Sequence, residues 1–159
     1  MLEISKYSKE SSTYSLYTNL LSKVQLSKDI ENSNRESLFI KDICKRVEKS
    51  KTVLYVLKNN EEIIGLISLS ATSIEDQPSM QIDYIFVSEN YRGTPLEILD
   101  NLKPFKYLIE IAINLAKKLR LELGIRYLVL SPDNNDLKAK YKKVDFQSLN
   151  KDWMYLKVN

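Results

Sequence analysis

The sequence predicts an α+β fold: a mixed, mostly antiparallel sheet with one parallel pair, flanked by helices. Three observations predict it. Strand-like runs separated by short polar turns succeed one another between residues 52 and 87, the pattern of hairpins and therefore of antiparallel neighbours. A strand, an amphipathic helical stretch and a second strand then span residues 80–130, the order that makes a parallel pair. Finally, a short helix and two brief strands close the chain.

Element by element, the chain opens with a strand at Leu2–Tyr7. Tyr14, Tyr17, Leu20, Leu21 and Val24 recur at three- and four-residue intervals, as on one face of a helix. Phe39, Ile40, Ile43, Cys44 and Val47 repeat that spacing after the polar stretch Glu31–Glu36, and neither helix carries a chemical motif. Thr52–Leu57 is β-branched and aromatic, and Lys58-Asn-Asn60 supplies a turn into the strand Ile63–Ser70. A polar loop is expected over Ser73–Ser79 and a third strand over Met80–Val87. Thr94-Pro-Leu-Glu97 has a capping residue, proline at the first helical position and glutamate three residues after the cap, which predicts a short helix ending near Leu102. Pro104 starts a second helix, to about Leu121, with Leu108, Ile111, Ala112, Leu115 and Leu119 on its apolar face. Gly124 turns the chain into the strand Arg126–Leu130; a helix over Asn134–Lys143 and strands Phe146–Leu149 and Trp153–Val158 follow.

The 159 residues suit one domain, 1–159, without repeats, linkers or low-complexity tracts. No apolar run is long enough to span a membrane, the first residues lack the order of a secretion signal, and the single cysteine has no internal partner. Together these features fit a reducing cytoplasm. The chain has no histidine. Ser-His-Asp and Cys-His catalysis are thereby excluded, no metal is expected, and a general acid or base must be a carboxyl, tyrosine, lysine or water. Charge is uneven: residues 1–102 carry 12 Lys/Arg against 15 Asp/Glu, whereas residues 103–159 carry 12 against 6. The basic C-terminal part suits an anionic ligand such as a nucleotide cofactor or RNA, and equally a plain solvated face.

Several local motifs lie in a telling order. Ile64-Gly-Leu-Ile-Ser-Leu-Ser-Ala71 is a strand with an early glycine. Ile82–Val87 runs into Ser88-Glu-Asn-Tyr-Arg-Gly93, and Ala112-Ile-Asn-Leu-Ala-Lys-Lys118 lies mid-helix behind that loop. Tyr127-Leu-Val-Leu130 follows, then Asn134 and, seven residues later, Tyr141 ahead of Asp145-Phe146. From about Val53 to Val158 this arrangement resembles the GNAT family of N-acetyltransferases. The C-terminal part, with Gly124–Leu130 and Trp153-Met-Tyr-Leu156, is most similar to toxin-type members that acetylate the amino acid on charged tRNA. The first 50 residues do not share that similarity.

The resemblance implies acetyl-CoA as cosubstrate and a primary amine as acceptor, whether a small molecule, a protein or a charged tRNA. No membrane is expected, and a homodimer is compatible with it. Pyrophosphate would be held by backbone N–H groups at a helix start, where the dipole favours an anion, and the pantetheine arm would lie along the strand end at Phe86 and Val87. By the same resemblance Tyr141 is the acid for the leaving thiolate, Arg92 and Gly93 begin the phosphate loop, and Asn134 is either a cofactor contact or a helix cap. Tyr141 can also be read as a packed aromatic, one of 10 tyrosines. For the general base, Asp83 lies on the strand and Glu75 and Asp76 lie in the loop before it, while a water relay would serve as well.

The family loop reads Gln/Arg-x-x-Gly-x-Gly/Ala; here Pro95 and Glu97 stand where small residues belong. Counting back from Ala112 instead places Lys103 and Phe105 there, eight residues later, so part of Thr94–Leu102 reads as an insertion. Lys103 and Lys106 can then contact phosphate directly or remain solvated surface. Asp145 replaces the usual glycine, which aspartate can do because it tolerates a left-handed backbone. The altered loop also motivates a different class: a non-catalytic protein of this fold that binds a partner or senses a nucleotide.

Overall fold

A computed structural model describes residues 1–9 and 12–159. Its strands are β1 (Leu2–Tyr7), β2 (Val53–Asn59), β3 (Glu62–Ile74), β4 (Gln77–Val87), β5 (Tyr127–Leu130), β6 (Gln147–Ser148) and β7 (Met154–Lys157). The α-helices are α1 (Thr13–Leu21), α2 (Ile30–Glu48), α3 (Pro104–Leu123) and α4 (Asn135–Lys143). The strands form one mixed sheet in the order β1-β2-β3-β4-β5-β7-β6. β4 and β5 are its parallel pair, and β1–β2, β2–β3, β5–β7 and β6–β7 run antiparallel. Packing divides the chain into two compact units, one of Met1–Leu69 with Asp83–Leu108, the other of Ser70–Ile82 with Ile109–Asn159.

In the first unit, α1 and α2 each start on a side-chain cap: Ser12 accepts from the Ser15 N–H and Asp29 from the Asn32 N–H. α2 therefore begins nine residues before Phe39 and includes the polar stretch Glu31–Glu36, which periodicity alone leaves outside. Leu16, Leu20, Ile40, Ile43, Cys44 and Val47 bury the inner faces of both helices with Leu54, Val56, Ile63, Leu66 and Phe86 of the strands. Phe39 of α2 stacks on Tyr84 of β4 at 5.3 Å between ring centres. Gly65 marks the closest approach. A Cβ there would sit 2.6 Å from the Phe86 carbonyl oxygen and 3.0 Å from Leu108 Cδ1, so only glycine lets β3 lie this close to β4 and the start of α3.

In the second unit, the expected loop Ser73–Ser79 contracts to two residues. Glu75 and Asp76 both adopt left-handed backbone (φ 49° and 64°), the geometry of a tight hairpin turn, and the strands extend to meet it. β4 pairs with β5 over Ser79–Gln81 and Tyr127–Val129. Arg126 donates its N–H to the Pro78 carbonyl at 2.7 Å, and Val158 donates to the Arg126 carbonyl at 2.9 Å, which fixes both sides of β5.

The short helix expected after Thr94 is absent; a single 3-10 turn at Glu97–Leu99 takes its place. Leu96 and Leu102 bridge each other, the Leu96 N–H donating to the Leu102 carbonyl at 3.1 Å, and Asp100 and Asn101 reverse the chain in left-handed conformation. Leu99 at the tip of this excursion is fully buried. A capping signal is local, whereas burying one leucine and closing a bridge are not; over so few residues helix nucleation is too costly to compete.

Candidate active site

The first unit carries the strand end and the loop after it. Ser88, the first residue after β4, is almost wholly buried and tightly held. Its N–H donates to the Ile64 carbonyl (2.8 Å), its Oγ donates to the Ile63 carbonyl (2.6 Å), and that Oγ accepts from the Gln25 N–H (3.1 Å). Tyr91 donates its hydroxyl to Glu62. That hydrogen bond first, and burial second, raise the tyrosine's pKa. The loop therefore leaves β4 from a fixed point. Sequence reasoning missed Ser88, since its partners lie 25 and 63 residues away.

Arg92 is thoroughly engaged. Its Nε donates to the Val87 carbonyl at 2.7 Å, one terminal nitrogen to Ser27 Oγ at 2.7 Å and Glu89 at 3.0 Å, and the other to Glu36 at 3.1 Å. The guanidinium also lies over the Phe86 ring, 5.4 Å from its centre. Gly93 follows with φ 76°, in open space. After the Thr94–Leu102 excursion the chain enters α3, a 20-residue helix with Pro104 first and no acidic residue in its opening turn. Lys103, just before it, is exposed, and Lys106 lies in the first turn, half-buried. This helix start suits an anion: its dipole and both lysines have one sign, and Pro104 sits where a missing N–H costs least.

Asp83 occupies a different setting from that of a solvated base. Its carboxylate is fully enclosed, accepts from Thr52 Oγ1 at 2.7 Å and lies 3.4 Å from Arg46 of α2. The residue as a whole is only half-buried, so its accessible part is main chain. Glu75 and Asp76 form the β3–β4 turn of the second unit instead.

That second unit also holds Asn134 and Tyr141, and α4 explains their spacing. Asn134 is the N-cap, its Oδ1 accepting from the Leu137 N–H at 2.8 Å. Seven residues on, Tyr141 lies at the C-terminal end, where the chain exits by a Schellman turn. The Phe146 N–H donates to the Tyr141 carbonyl (3.1 Å), the Asp145 N–H donates to the Lys142 carbonyl (3.2 Å), and Asp145 is left-handed at φ 75°. The apolar contact of such a turn is the edge-on pair Tyr141–Phe146, 5.5 Å between ring centres. Asn, Tyr, Asp and Phe thus hold the helix at both ends and fix the tyrosine ring. Tyr141 is 4% exposed; burial first, then the Asp133 carboxylate, push its pKa above the ordinary tyrosine value. Its hydroxyl is protonated throughout the neutral range.

No family model matches the sequence, and no curated protein does either. Solved structures do match in fold. A mutant AtaT toxin bound to the C-terminus of the antitoxin AtaR superposes with a TM-score of 0.76 at 14% identity, over 99% of this chain and 92% of that one. AtaTR bound with acetyl-CoA gives 0.73 at 16% identity, over 99% and 93%. AtaT complexed with acetyl-methionyl-tRNAfMet gives 0.70 at 13% identity, over 99% and 95%. The fold is thus the GNAT-like one expected from the sequence, and the likeness to these toxins takes in the first 50 residues, where sequence similarity is lacking.

Proposed function

We propose that this protein is an acetyl-CoA-dependent N-acetyltransferase whose acceptor is the amino group of an aminoacyl-tRNA. The observation that supports it most is the likeness in fold over 99% of the chain to proteins solved with acetyl-CoA and with acetyl-methionyl-tRNAfMet. The basic C-terminal part supports the RNA half of the reading. Lys140, Lys142 and Lys143 all fall in the last turn of α4, the helix that carries Tyr141.

Acetyl-CoA, when bound, supplies an acetyl group on a thioester: the amine nitrogen forms a bond to the carbonyl carbon, the carbon–sulfur bond breaks, and the thiolate takes up a proton. Each unit, taken by itself, carries residues suited to a part of that cosubstrate. Lys103, Lys106 and the first N–H groups of α3 are suited to the phosphates. The main chain of Phe86 and Val87 is suited to the pantetheine amides. Tyr141 is suited to donate a hydrogen bond or its proton to the leaving sulfur, since its hydroxyl is protonated at neutral pH and its ring is fixed at the end of α4. Asp83, committed to Thr52 and Arg46, holds β4 in place, and the amine's proton leaves through water.

A titration with acetyl-CoA followed by transfer of labelled acetyl to a pool of charged tRNAs tests the reading. Tyr141→Phe keeps the ring and removes the donor. Turnover should then fall roughly 10²–10⁴-fold with little change in acetyl-CoA affinity. Binding of acetyl-CoA with acetylation of a small amine or a protein, but of no charged tRNA, would overturn the acceptor. No binding of acetyl-CoA would favour a non-catalytic protein of the same fold.

A further inference from the structure

The hydrogen bonds around Arg92 point away from the role its place in the motif implies. A guanidinium has five N–H donors in a fixed plane. Here four donations are directed to protein oxygens, of which two belong to carboxylates, Glu36 and Glu89. One arginine and two glutamates carry a net charge of −1, so an approaching phosphate meets no unbalanced positive charge. Glu36 is itself held: one oxygen accepts from the Ser27 N–H at 2.8 Å and the other from Ser27 Oγ at 2.6 Å. Two residues away, the Glu89 N–H donates to the Gln25 carbonyl at 2.8 Å and the Gln25 N–H to Ser88 Oγ at 3.1 Å. Residues 25–27 are thereby stitched to residues 87–92, with α2 behind them through Glu36.

We propose that Arg92 is a positioning residue, a strut that with Glu36 and Ser27 ties the start of the phosphate loop to α2, and that the anion-binding role passes to Lys103 and Lys106. The part of this concerning the cofactor rests on the function proposed above; the strut itself does not. Holding the Val87 carbonyl and the 88–93 backbone in one conformation before ligand arrives lowers the ordering cost of binding. It also makes α2, an element without chemistry of its own, part of the cofactor machinery.

Two readouts on the full chain test the proposal, using Glu36→Gln, Arg92→Gln, the double variant and the milder Ser27→Ala. The first is amide hydrogen exchange of residues 88–93 without ligand. Each variant should speed exchange there, and the double variant should be no faster than the faster single one. The second is acetyl-CoA affinity across a salt series. Glu36→Gln and Arg92→Gln should weaken binding several-fold without altering its salt dependence, whereas Lys103→Ala should flatten that dependence. Wild-type exchange in Glu36→Gln, with Arg92→Gln alone weakening binding and flattening the salt dependence, would overturn the strut and restore Arg92 as a phosphate ligand. If the wild-type protein binds no acetyl-CoA, the proposed function falls, and the exchange measurement still decides the strut.

Discussion

Gly65→Ala is the single methyl addition that the structure resists most directly. The new Cβ would stand 2.6 Å from the Phe86 carbonyl oxygen, where close carbon–oxygen contacts begin at about 3.3 Å. The chain must open by about 0.7 Å there, and what has to move is backbone, not a side chain that can rotate away. Leu108 Cδ1 at 3.0 Å blocks part of the remaining space. Overpacking of this kind costs about 1–3 kcal/mol, and a clash with main chain belongs in the upper half of that range. Against it, alanine reduces the freedom of the unfolded chain and returns about 0.4–1 kcal/mol. The clash wins, leaving a net loss of about 1–2.5 kcal/mol and a melting temperature lower by roughly 2–10 °C for a chain of this size.

Urea unfolding and a thermal melt of both proteins measure this loss, and acetyl-CoA titration measures its consequence at the site. Because the displaced carbonyl belongs to Phe86, affinity should fall together with stability. A variant that melts at or above the wild-type temperature would refute the close approach of β3 to β4 on which the placement of Phe86 and Val87 depends.

The remaining predictions concern charge, ionisation and backbone strain. Changing both Lys103 and Lys106 to alanine should weaken acetyl-CoA binding, more at low salt than at high; equal affinity at low salt would remove both from the phosphate site. Burial pushes the Cys44 thiol up to about 12, so between about 9 and 12 the unfolded chain binds fewer protons than the folded one, and stability must fall as pH rises through that window. Denaturant unfolding from pH 7 to 11 should show a shallower decline in Cys44→Ala than in wild type, and parallel declines would refute this. Asp145→Gly should raise stability by about 0.5 kcal/mol, since glycine adopts the left-handed position at the end of α4 without strain; a lower melting temperature would mean that the aspartate side chain contributes there.

Much of the fold was legible because its signals are local and periodic. β1 lies at its expected ends, the hairpins follow from β-branched and aromatic runs separated by turn residues, and strand–helix–strand order announces the parallel pair. The boundaries that shifted did so for particular reasons. Polar residues 73–79 read as a loop, yet the left-handed pair Glu75–Asp76 needs only two residues to reverse the chain. Glu31–Glu36 reads only as a polar stretch ahead of the helix because most of that part of α2 faces outward, and the partners of its half-buried Glu36, Ser27 and Arg92, lie 9 and 56 residues away. No periodicity reveals a partner at that distance. At the site, Asn134, Tyr141 and Asp145 were legible as a motif, but their joint work in capping both ends of α4 needed coordinates.

The loop shows why motif counting gave two answers eight residues apart. Counting forward from Arg92 reaches Pro95 and Glu97; counting back from Ala112 reaches Lys103 and Phe105. Leu96 and Leu102 bridge across the interval, and buried Leu99 anchors what lies between them, so the excursion is closed on itself. A segment pinched off in this way lengthens the sequence without requiring the chain on either side to be rebuilt. Forward counting then describes the start of the loop, where Arg92 is occupied and Gly93 is open, and backward counting describes the start of α3, where the lysines stand. One consequence separates this view from that of a degraded loop: deleting Glu97–Asn101 and joining Leu96 to Leu102 through a glycine should leave acetyl-CoA affinity within a few-fold of wild type. A loss of all binding, in a variant that still unfolds cooperatively, would show that the excursion is itself part of the site.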